Sequence, residues 1–198
     1  MPESDRLLVS MRILGIDPAL RVTGYGVIER RGDRIALIEA GIVAPHVSQP
    51  LEQRLRELHH GIAEVIAQTR PDVIVIEELY SSYKNPQTAI LMGHARGVMC
   101  LAGAQAGLCV HTLGHSHVKR ALLGSGSARK EQVNAIVIRL LNLRTAPKPN
   151  DVSDALAIAL AYLNVSGVSN VIREAQSDMT FRKKQHEMLA AHAKRAAT

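Results

Sequence analysis

The sequence is poor in aromatic residues, in cysteine and in long apolar runs. It contains no Trp, one Phe and four Tyr, and its two cysteines are Cys100 and Cys109. Both lie in apolar segments without the spacing of zinc ligands, which excludes a disulfide-rich secreted scaffold and predicts reduced core residues. No apolar run reaches the roughly 18–20 residues that a membrane-spanning helix needs, and a signal-peptide pattern is missing. We therefore expect a cytoplasmic protein without a membrane partner.

The composition predicts one folded domain with a basic surface. Apolar residues make up 46% of the 198 residues, which excludes an intrinsically disordered chain. Lys and Arg number 24 against 18 Asp and Glu, an excess that fits a nucleic-acid partner without proving one. Met11 opens the first strong strand pattern. We expect residues 1–10 to be a flexible extension, residues 11–165 the folded domain, and residues 166–198 a polar, basic and partly disordered tail.

Apolar periodicity predicts an α/β fold. Three short strands come first and are joined by short loops, as in an antiparallel meander. A helix over Leu51–Arg70 follows, and then Asp72–Ile76, which is apolar on both faces like a central parallel strand. A second helix (Asn85–Ala106), a fifth strand (Leu108–Thr112) and three further helices complete the pattern. This order favours a mixed five-stranded sheet with helices on both faces, the layout of the ribonuclease-H-like fold.

Four acidic residues adjoin apolar strands and an apolar helix, where burying a charged side chain is energetically unfavourable. Asp17 ends the first strand, Glu77 ends the fourth, and Asp151 and Asp154 open the last helix. If the first and fourth strands are parallel neighbours, their acids emerge side by side at the carboxyl edge, where α/β sheets collect ligands. Residues three apart share a helix face. Singly, each acid could be a turn, a cap or a solvated strand end, and periodicity does not choose between Glu77 and Glu78.

Converging carboxylates repel one another unless cations neutralise them. Hard divalent ions prefer oxygen ligands, and magnesium suits a site that is shared with phosphate. Two such ions can activate a water and stabilise the leaving 3′-oxygen of a phosphodiester. The set Asp17, Glu77, Asp151 and Asp154 therefore predicts a catalytic metal site with two Mg²⁺ ions, for which Mn²⁺ could substitute.

Five segments resemble, in order, the motifs of the RuvC family of Holliday-junction resolvases. They extend over most of the chain from about Arg12 to Tyr162, and they are Gly15–Ile28 (GIDPALRVTGYGVI), Ile76–Tyr80 (IEELY), Asn85–Val98, Val118–Val133 and Asp151–Ala159 (DVSDALAIA). The resemblance implies a magnesium-dependent endonuclease that cuts four-way DNA junctions in recombination and repair. It also implies a homodimer that works with the RuvA and RuvB branch-migration proteins. Ala19 departs from the glycine that is usual in the family.

The resemblance also implies roles for single residues. It places the catalytic glutamate at Glu77 and maps the other metal-binding acids onto Asp17, Asp151 and Asp154. Tyr80 matches an aromatic position that could stack on an unpaired base, whereas Tyr83 could stack or cap the sheet. Candidate phosphate contacts flank the glycine-containing loop Gly124–Ala128. They are Lys119, Arg120, Arg129 and Lys130, of which Lys119 and Lys130 match family lysines.

Some patterns stay open and others are rejected. Gly24 and Gly26 could admit a phosphate close to the second strand, or they could serve packing. His111, His115 and His117 lack the spacing of a zinc site, and GSGSARK lacks the spacing of a nucleotide-binding loop. Three rival functions remain: an actin-like ATPase, which needs two such domains, a nuclease for structured RNA, and a non-catalytic junction-binding module.

The second helix is the predicted dimer interface. Its apolar residues wrap far around the axis, which indicates burial on more than one side. A partner subunit could cover the side that the sheet does not, with Met92 and Met99 pointing outward. The alternative is that the third and fourth helices cover this side within one subunit. The apolar and small residues of the helix are Ile90, Met92, Gly93, Ala95, Val98, Met99, Ala102 and Gly103.

Overall fold

The computed structural model describes residues 10–32, 34–79 and 86–166. Of the predicted N-terminal extension (residues 1–10) and tail (residues 166–198), only Ser10, which begins the first strand, and residue 166, which is helical, are among these residues. The predicted start of the second helix at Asn85 also lies outside them. The elements are β1 (Ser10–Asp17), β2 (Thr23–Arg31), β3 (Arg34–Val43), α1 (Leu51–Thr69), β4 (Val73–Glu77), α2 (Pro86–Gln105), β5 (Cys109–Leu113), α3 (His115–Leu123), α4 (Lys130–Leu140) and α5 (residues 150–166).

The strands form one mixed sheet in the order β3-β2-β1-β4-β5. Short connections make β1, β2 and β3 an antiparallel meander, whereas β4 and β5 are reached through helices and pair in parallel. The predicted mixed five-stranded sheet is confirmed. Strand β1 lies at its centre, with β2 on one side and β4 on the other.

The two faces of the sheet carry different residues because strand side chains alternate. Leu14, Ile16, Ile74 and Ile76 are fully buried on one face, in a core that they share with residues of α1 and α2. The other face receives α5, against which Gly15 packs directly. Helices therefore cover both faces, as predicted. Cys100 and Cys109 are half-buried and form no disulfide, so they are less buried than we expected.

The chain forms two compact units, Met1–Tyr162 and Leu163–Thr198. The first contains the sheet, helices α1–α4 and α5 up to Tyr162. In the second, residues 163–166 are described and are helical. Within the described part of the chain, no helix combines the length and apolar character needed to span a membrane.

A buried glutamate ties the amino end of β1 to β2. Glu29 pairs through Oε1 with Arg12 Nε at 2.9 Å and through Oε2 with Arg31 Nε at 2.7 Å, and it accepts a hydrogen bond of 3.0 Å from Ser10 Oγ. Burial raises the pKa of Glu29, but the hydrogen bonds from Arg31, Arg12 and Ser10 outweigh burial and lower it below its ordinary value. This cluster lies at the opposite end of β1 from Asp17.

Candidate active site

The carboxyl ends of β1 and β4 bring two acids together. Ile16 and Ile76 are paired in the parallel register, so Asp17 and Glu77 follow at adjacent strand ends. Asp17 alternates with Ile16 and Glu77 with Ile76, and both acids are therefore on the sheet face that α5 covers. The next residue, Glu78, is exposed, and its backbone N–H donates to Leu113 O at 3.0 Å. The structure thus places Glu77 at the acidic cluster and leaves Glu78 outside it.

Three glycines seat α5 against the sheet. A Cβ on Gly24 would overlap the backbone carbonyl of Asp151, and one on Gly15 would overlap the carbonyl oxygen of Ala155. A Cβ on Gly26 would stand 2.5 Å from the Leu156 side chain. Gly24 and Gly26 therefore serve packing, one of the two roles left open by the sequence. Their close contact holds the first turns of α5, with Asp151 and Asp154, beside the end of β1.

The electrostatics of the cluster indicate crowded negative charge. Burial, then the charges of Glu77 and Asp154, raise the pKa of Asp17 to about 8. Burial also raises the pKa of Glu77, although a hydrogen bond from Asp17 partly opposes it. Asp151 contributes a further charge that raises the pKa of Asp17. A cation bound among these side chains would relieve the repulsion and favour the ionised carboxylates.

Two basic side chains contact the acids. Lys130 Nζ lies 2.7 Å from Asp154 Oδ2, and His115 Nδ1 lies 3.0 Å from Glu77 Oε1. Burial lowers the pKa of Lys130, but its hydrogen bond with Asp154 and the nearby aspartate charges outweigh burial and raise it. Burial, then the charge of Lys119, lower the pKa of His115.

The acids are not arranged as a closed ligand shell. Among the residues that the structure describes, no three Asp, Glu, His or Cys side chains form a cluster that could enclose a metal ion. Asp154 is instead paired with Lys130, and Glu77 with His115. The donor set nevertheless fits a hard divalent cation, since every acid offers oxygen ligands and Asp17 is held in a strongly negative environment.

A cleft of about 70 Å³ opens beside this cluster. Its polar lining consists of Glu77, Asp154, His115, Lys119 and Lys130. Two of the predicted DNA contacts, Lys119 and Lys130, therefore lie at the acids. Arg120 is exposed, and its guanidinium would lie 3.6 Å from a Cβ on Gly126, beside the loop between α3 and α4. Tyr80 and Tyr83 fall outside the described residues.

Sequence reasoning missed two residues at the site. His115 was considered only with His111 and His117, yet it follows the end of β5 and so lies at the same carboxyl edge as the acids. His111 instead packs its ring against Tyr162, with ring centres 4.9 Å apart. The second missed residue is Arg96 of α2, which donates to Glu77 O at 3.3 Å and to Thr112 Oγ1 at 2.7 Å. The sequence could have indicated His115, because it closely follows a predicted strand. No sequence pattern indicated Arg96.

Comparisons with known proteins show the family to which this chain is similar. The family model "Crossover junction endodeoxyribonuclease RuvC" matches residues 13–162. A protein of that name from Rhodopirellula baltica is 50% identical over 148 residues, which cover 75% of this chain and 83% of the relative. The structure of Thermus thermophilus RuvC matches with a TM-score of 0.74 at 33% identity and covers 81% of this chain and 98% of that one.

A second structure, "T. thermophilus RuvC in complex with Holliday junction substrate", matches with the same TM-score of 0.74 at 30% identity and the same coverage, 81% of this chain and 98% of that one. The region that the family model matches contains all four acids, the cleft and residues of all five strands. The chain therefore belongs to the RuvC family of crossover junction endodeoxyribonucleases.

Proposed function

We propose that this protein is an endonuclease that resolves four-way (Holliday) DNA junctions by metal-dependent phosphodiester hydrolysis, in homologous recombination and DNA repair. The observation that carries the proposal is the convergence of Asp17, Glu77, Asp151 and Asp154 from three elements beside a cleft that contains two lysines. Family membership supports the substrate, because a matched relative is described in complex with a Holliday junction.

The four acids are the proposed metal ligands. Asp17, Glu77, Asp151 and Asp154 would hold Mg²⁺, with two ions per subunit, and Mn²⁺ could take their place. When bound, the ions supply charge stabilisation for hydrolysis of the phosphodiester. The oxygen donors and the charges that raise the pKa of Asp17 support this assignment. Lys130 Nζ lies 2.7 Å from Asp154 Oδ2, so it is also placed to contact a phosphate that approaches the acids.

The cationic and aromatic residues are the proposed DNA contacts. Lys119 and Lys130 line the cleft next to the acids, where a scissile phosphate would approach. Arg120 is exposed near the α3–α4 loop and would contact phosphate farther from the cut. Tyr80 follows Glu77 by three residues, and we propose that its ring stacks on a base of the opened junction.

The proposed active form is a homodimer. A junction offers two equivalent strands, and symmetric cleavage needs two active sites at a fixed spacing, which a twofold dimer provides. Helix α2 presents an exposed stripe opposite its core-facing side, formed by Ile90, Gly93, Gly97 and Leu101. A Cβ added at either glycine would meet none of the described neighbouring atoms within 4 Å, so a second helix could approach closely. We also propose a cytoplasmic location and cooperation with RuvA and RuvB.

One assay tests the proposal directly. Purified protein is incubated with MgCl₂ and, separately, a synthetic mobile four-way junction, linear duplex DNA and an RNA hairpin of matched length. We expect symmetric nicks in the junction, little cutting of the duplex or the hairpin, and no stimulation by ATP. Preferential cutting of the hairpin would favour an RNA substrate, whereas binding of the junction without cutting at any Mg²⁺ or Mn²⁺ concentration would defeat the proposed activity.

A further inference from the structure

His115 is an exposed residue whose side chain is not part of the folded core. It is the first residue of α3, directly after the N-cap Gly114. Its side chain is 58% exposed, so it is not a core residue. Yet its Nδ1 stands 3.0 Å from Glu77 Oε1, and its ring lines the cleft that contains Asp154 and Lys130. A polar side chain held in a cleft against a proposed ligand is placed to act on that ligand.

The backbone around Glu77 is already fixed by other groups. Arg96 Nε donates to Glu77 O at 3.3 Å, and Arg96 Nη2 donates to Thr112 Oγ1 at 2.7 Å, which ties the ends of β4 and β5 together. The N–H of Glu78 donates to Leu113 O at 3.0 Å. These bonds hold the main chain, but they leave the side-chain torsions of Glu77 free. Orientation of its carboxylate must come from side-chain contacts.

The carboxylate of Glu77 has hydrogen bonds to Asp17 and to His115. Asp17 is itself a proposed metal ligand, so it is not available as a permanent support. His115 has a ring N–H that can donate to Oε1 and leave the other carboxylate oxygen for a cation. The other donors that line the cleft are Lys119 and Lys130, and Lys130 Nζ lies 2.7 Å from Asp154 Oδ2, where it pairs with that acid.

We propose that His115 is a positioning residue, whose Nδ1–H donates to Glu77 and holds that carboxylate in the orientation that binds the catalytic cation. The proposal rests on the proposed nuclease function and extends it to a residue outside the acidic set. Partners that orient a metal ligand typically change metal affinity or activity by about 10–100-fold when they are removed. Because the side chain is exposed, its removal should cost little folding stability.

The test compares three substitutions in the full chain. His115→Ala removes the donor. His115→Asn keeps an amide N–H near the position of Nδ1, whereas His115→Gln places its amide near the position of Nε2, which does not contact Glu77. His117→Ala, on an exposed residue of the same helix, is the matched control. Calorimetric titration with MgCl₂ without DNA, cleavage rate against MgCl₂ concentration, and junction affinity in EDTA are measured for each variant, together with Tm.

We expect His115→Ala and His115→Gln to bind Mg²⁺ about tenfold or more weakly and to need correspondingly more MgCl₂ for half-maximal cleavage. Their Tm without cation and their junction affinity in EDTA should match those of the wild type. His115→Asn should recover most of the Mg²⁺ affinity, and His117→Ala should behave as the wild type.

Three results would overturn the positioning role. They are unchanged Mg²⁺ affinity in His115→Ala, failure of His115→Asn to do better than His115→Gln, and a loss confined to junction affinity, which would mark a DNA contact. The titration in the absence of DNA keeps this inference separate from the proposed function. If the wild type cuts no junction, the proposed function fails, while the Mg²⁺ affinities still decide the role of His115.

Discussion

At the end of β4, two adjacent glutamates meet different surroundings. Glu77 is half-buried against Asp17, and its pKa is raised by burial and by the charge of Asp154. Glu78 is exposed on the other side of the strand end. One glutamate therefore lies in the acidic cluster and its neighbour lies outside it, so substitutions at the two positions can be compared directly.

Glu77→Gln should cut junctions at least about a hundredfold more slowly than the wild type, the scale of losing one main contact to the transition state. Junction affinity should change little, because phosphate contacts elsewhere supply most of it. Glu78→Gln should cut at nearly the wild-type rate. Single-turnover cleavage and junction binding, both measured on one preparation, check this. The assignment of Glu77 is wrong if Glu78→Gln is the inactive variant.

At the scale of elements, the position of the acids depends on how closely α5 approaches the sheet. Gly24 contacts the backbone of Asp151, whereas Gly26 contacts the side chain of Leu156 one turn farther along. A methyl group at Gly24 must move the main chain of a proposed ligand. A methyl group at Gly26 would stand 2.5 and 2.7 Å from side-chain atoms of the buried Leu156 and 3.3 Å from its backbone N, so the main adjustment falls on that side chain.

Gly24→Ala should therefore lower both stability and activity, while Gly26→Ala should lower mainly stability. Overpacking of this kind costs about 1–3 kcal/mol, which corresponds to a fall in Tm of roughly 2–12 °C for a chain of this size. Thermal unfolding and cleavage at a temperature where both variants are folded separate the two effects. Equal cleavage by the two folded variants would show that the site does not depend on the contact between Gly24 and α5.

The other end of the β1–β2 pair is held by the Arg12–Glu29–Arg31 cluster, in which Glu29 is 7% exposed. The folded-state pKa of Glu29 lies below its ordinary value of 4.5. The unfolded chain therefore takes up this proton first as the pH falls. The stabilisation from Glu29 is present above about pH 4.5 and is lost as the pH falls through the folded-state pKa.

Glu29→Gln should thus be less stable than the wild type at pH 7, and the difference in the free energy of unfolding should shrink as the pH falls from about 5 to 3. Urea denaturation over this range measures it. Glu64→Gln, which alters an exposed pair with His60, is the control and should change stability by less than about 1 kcal/mol. A difference for Glu29→Gln that stays constant with pH would mean that the ionised cluster is not its source.

At the scale of the whole molecule, the sequence predicted the mixed five-stranded sheet and the proximity of the four acids. Both follow from the order of the strands and from the alternation of side chains along each strand. The sequence did not choose between Glu77 and Glu78 from periodicity, since the choice depends on which face α5 covers. It also missed His115, because a single histidine after a strand has no periodic pattern. Arg96 was missed because its role depends on contacts between α2, β4 and β5 that are distant in sequence.

The sequence also could not assign the buried and exposed faces of helix α2, the predicted dimer interface. Its apolar and small residues cover most of the helix, so the pattern does not assign faces. The expectation that Met99 points outward is wrong. Met99 is 0% exposed and belongs to the core with Ala95 and Ala102. Gly103 also faces inward, where a Cβ would stand 2.7 Å from Val110 and 2.9 Å from Ile74. Met92 is half-buried.

The outward stripe of α2 gives the sharper test of the dimer. Ile90 and Leu101 are 60% and 50% exposed in the single chain, and the open positions of Gly93 and Gly97 lie between them on the same face. The stripe therefore carries two large exposed apolar side chains, and a partner helix that lies along the glycines could cover both. If a twofold partner covers this stripe, a charge placed at its end must be buried without a partner, which is strongly unfavourable.

Leu101→Glu should therefore convert a particle of about twice 21.5 kDa into one of 21.5 kDa, as measured by light scattering at micromolar concentration. The fold should be retained, because the side chain faces away from the core. The monomer should still nick single strands of a junction but lose paired incision, which a cruciform plasmid reports as nicked circles instead of linear product. Ile42→Glu, at an exposed position of β3, is the control and should keep both mass and paired incision. If Leu101→Glu retains the larger mass and cuts both strands together, the subunits meet through another surface.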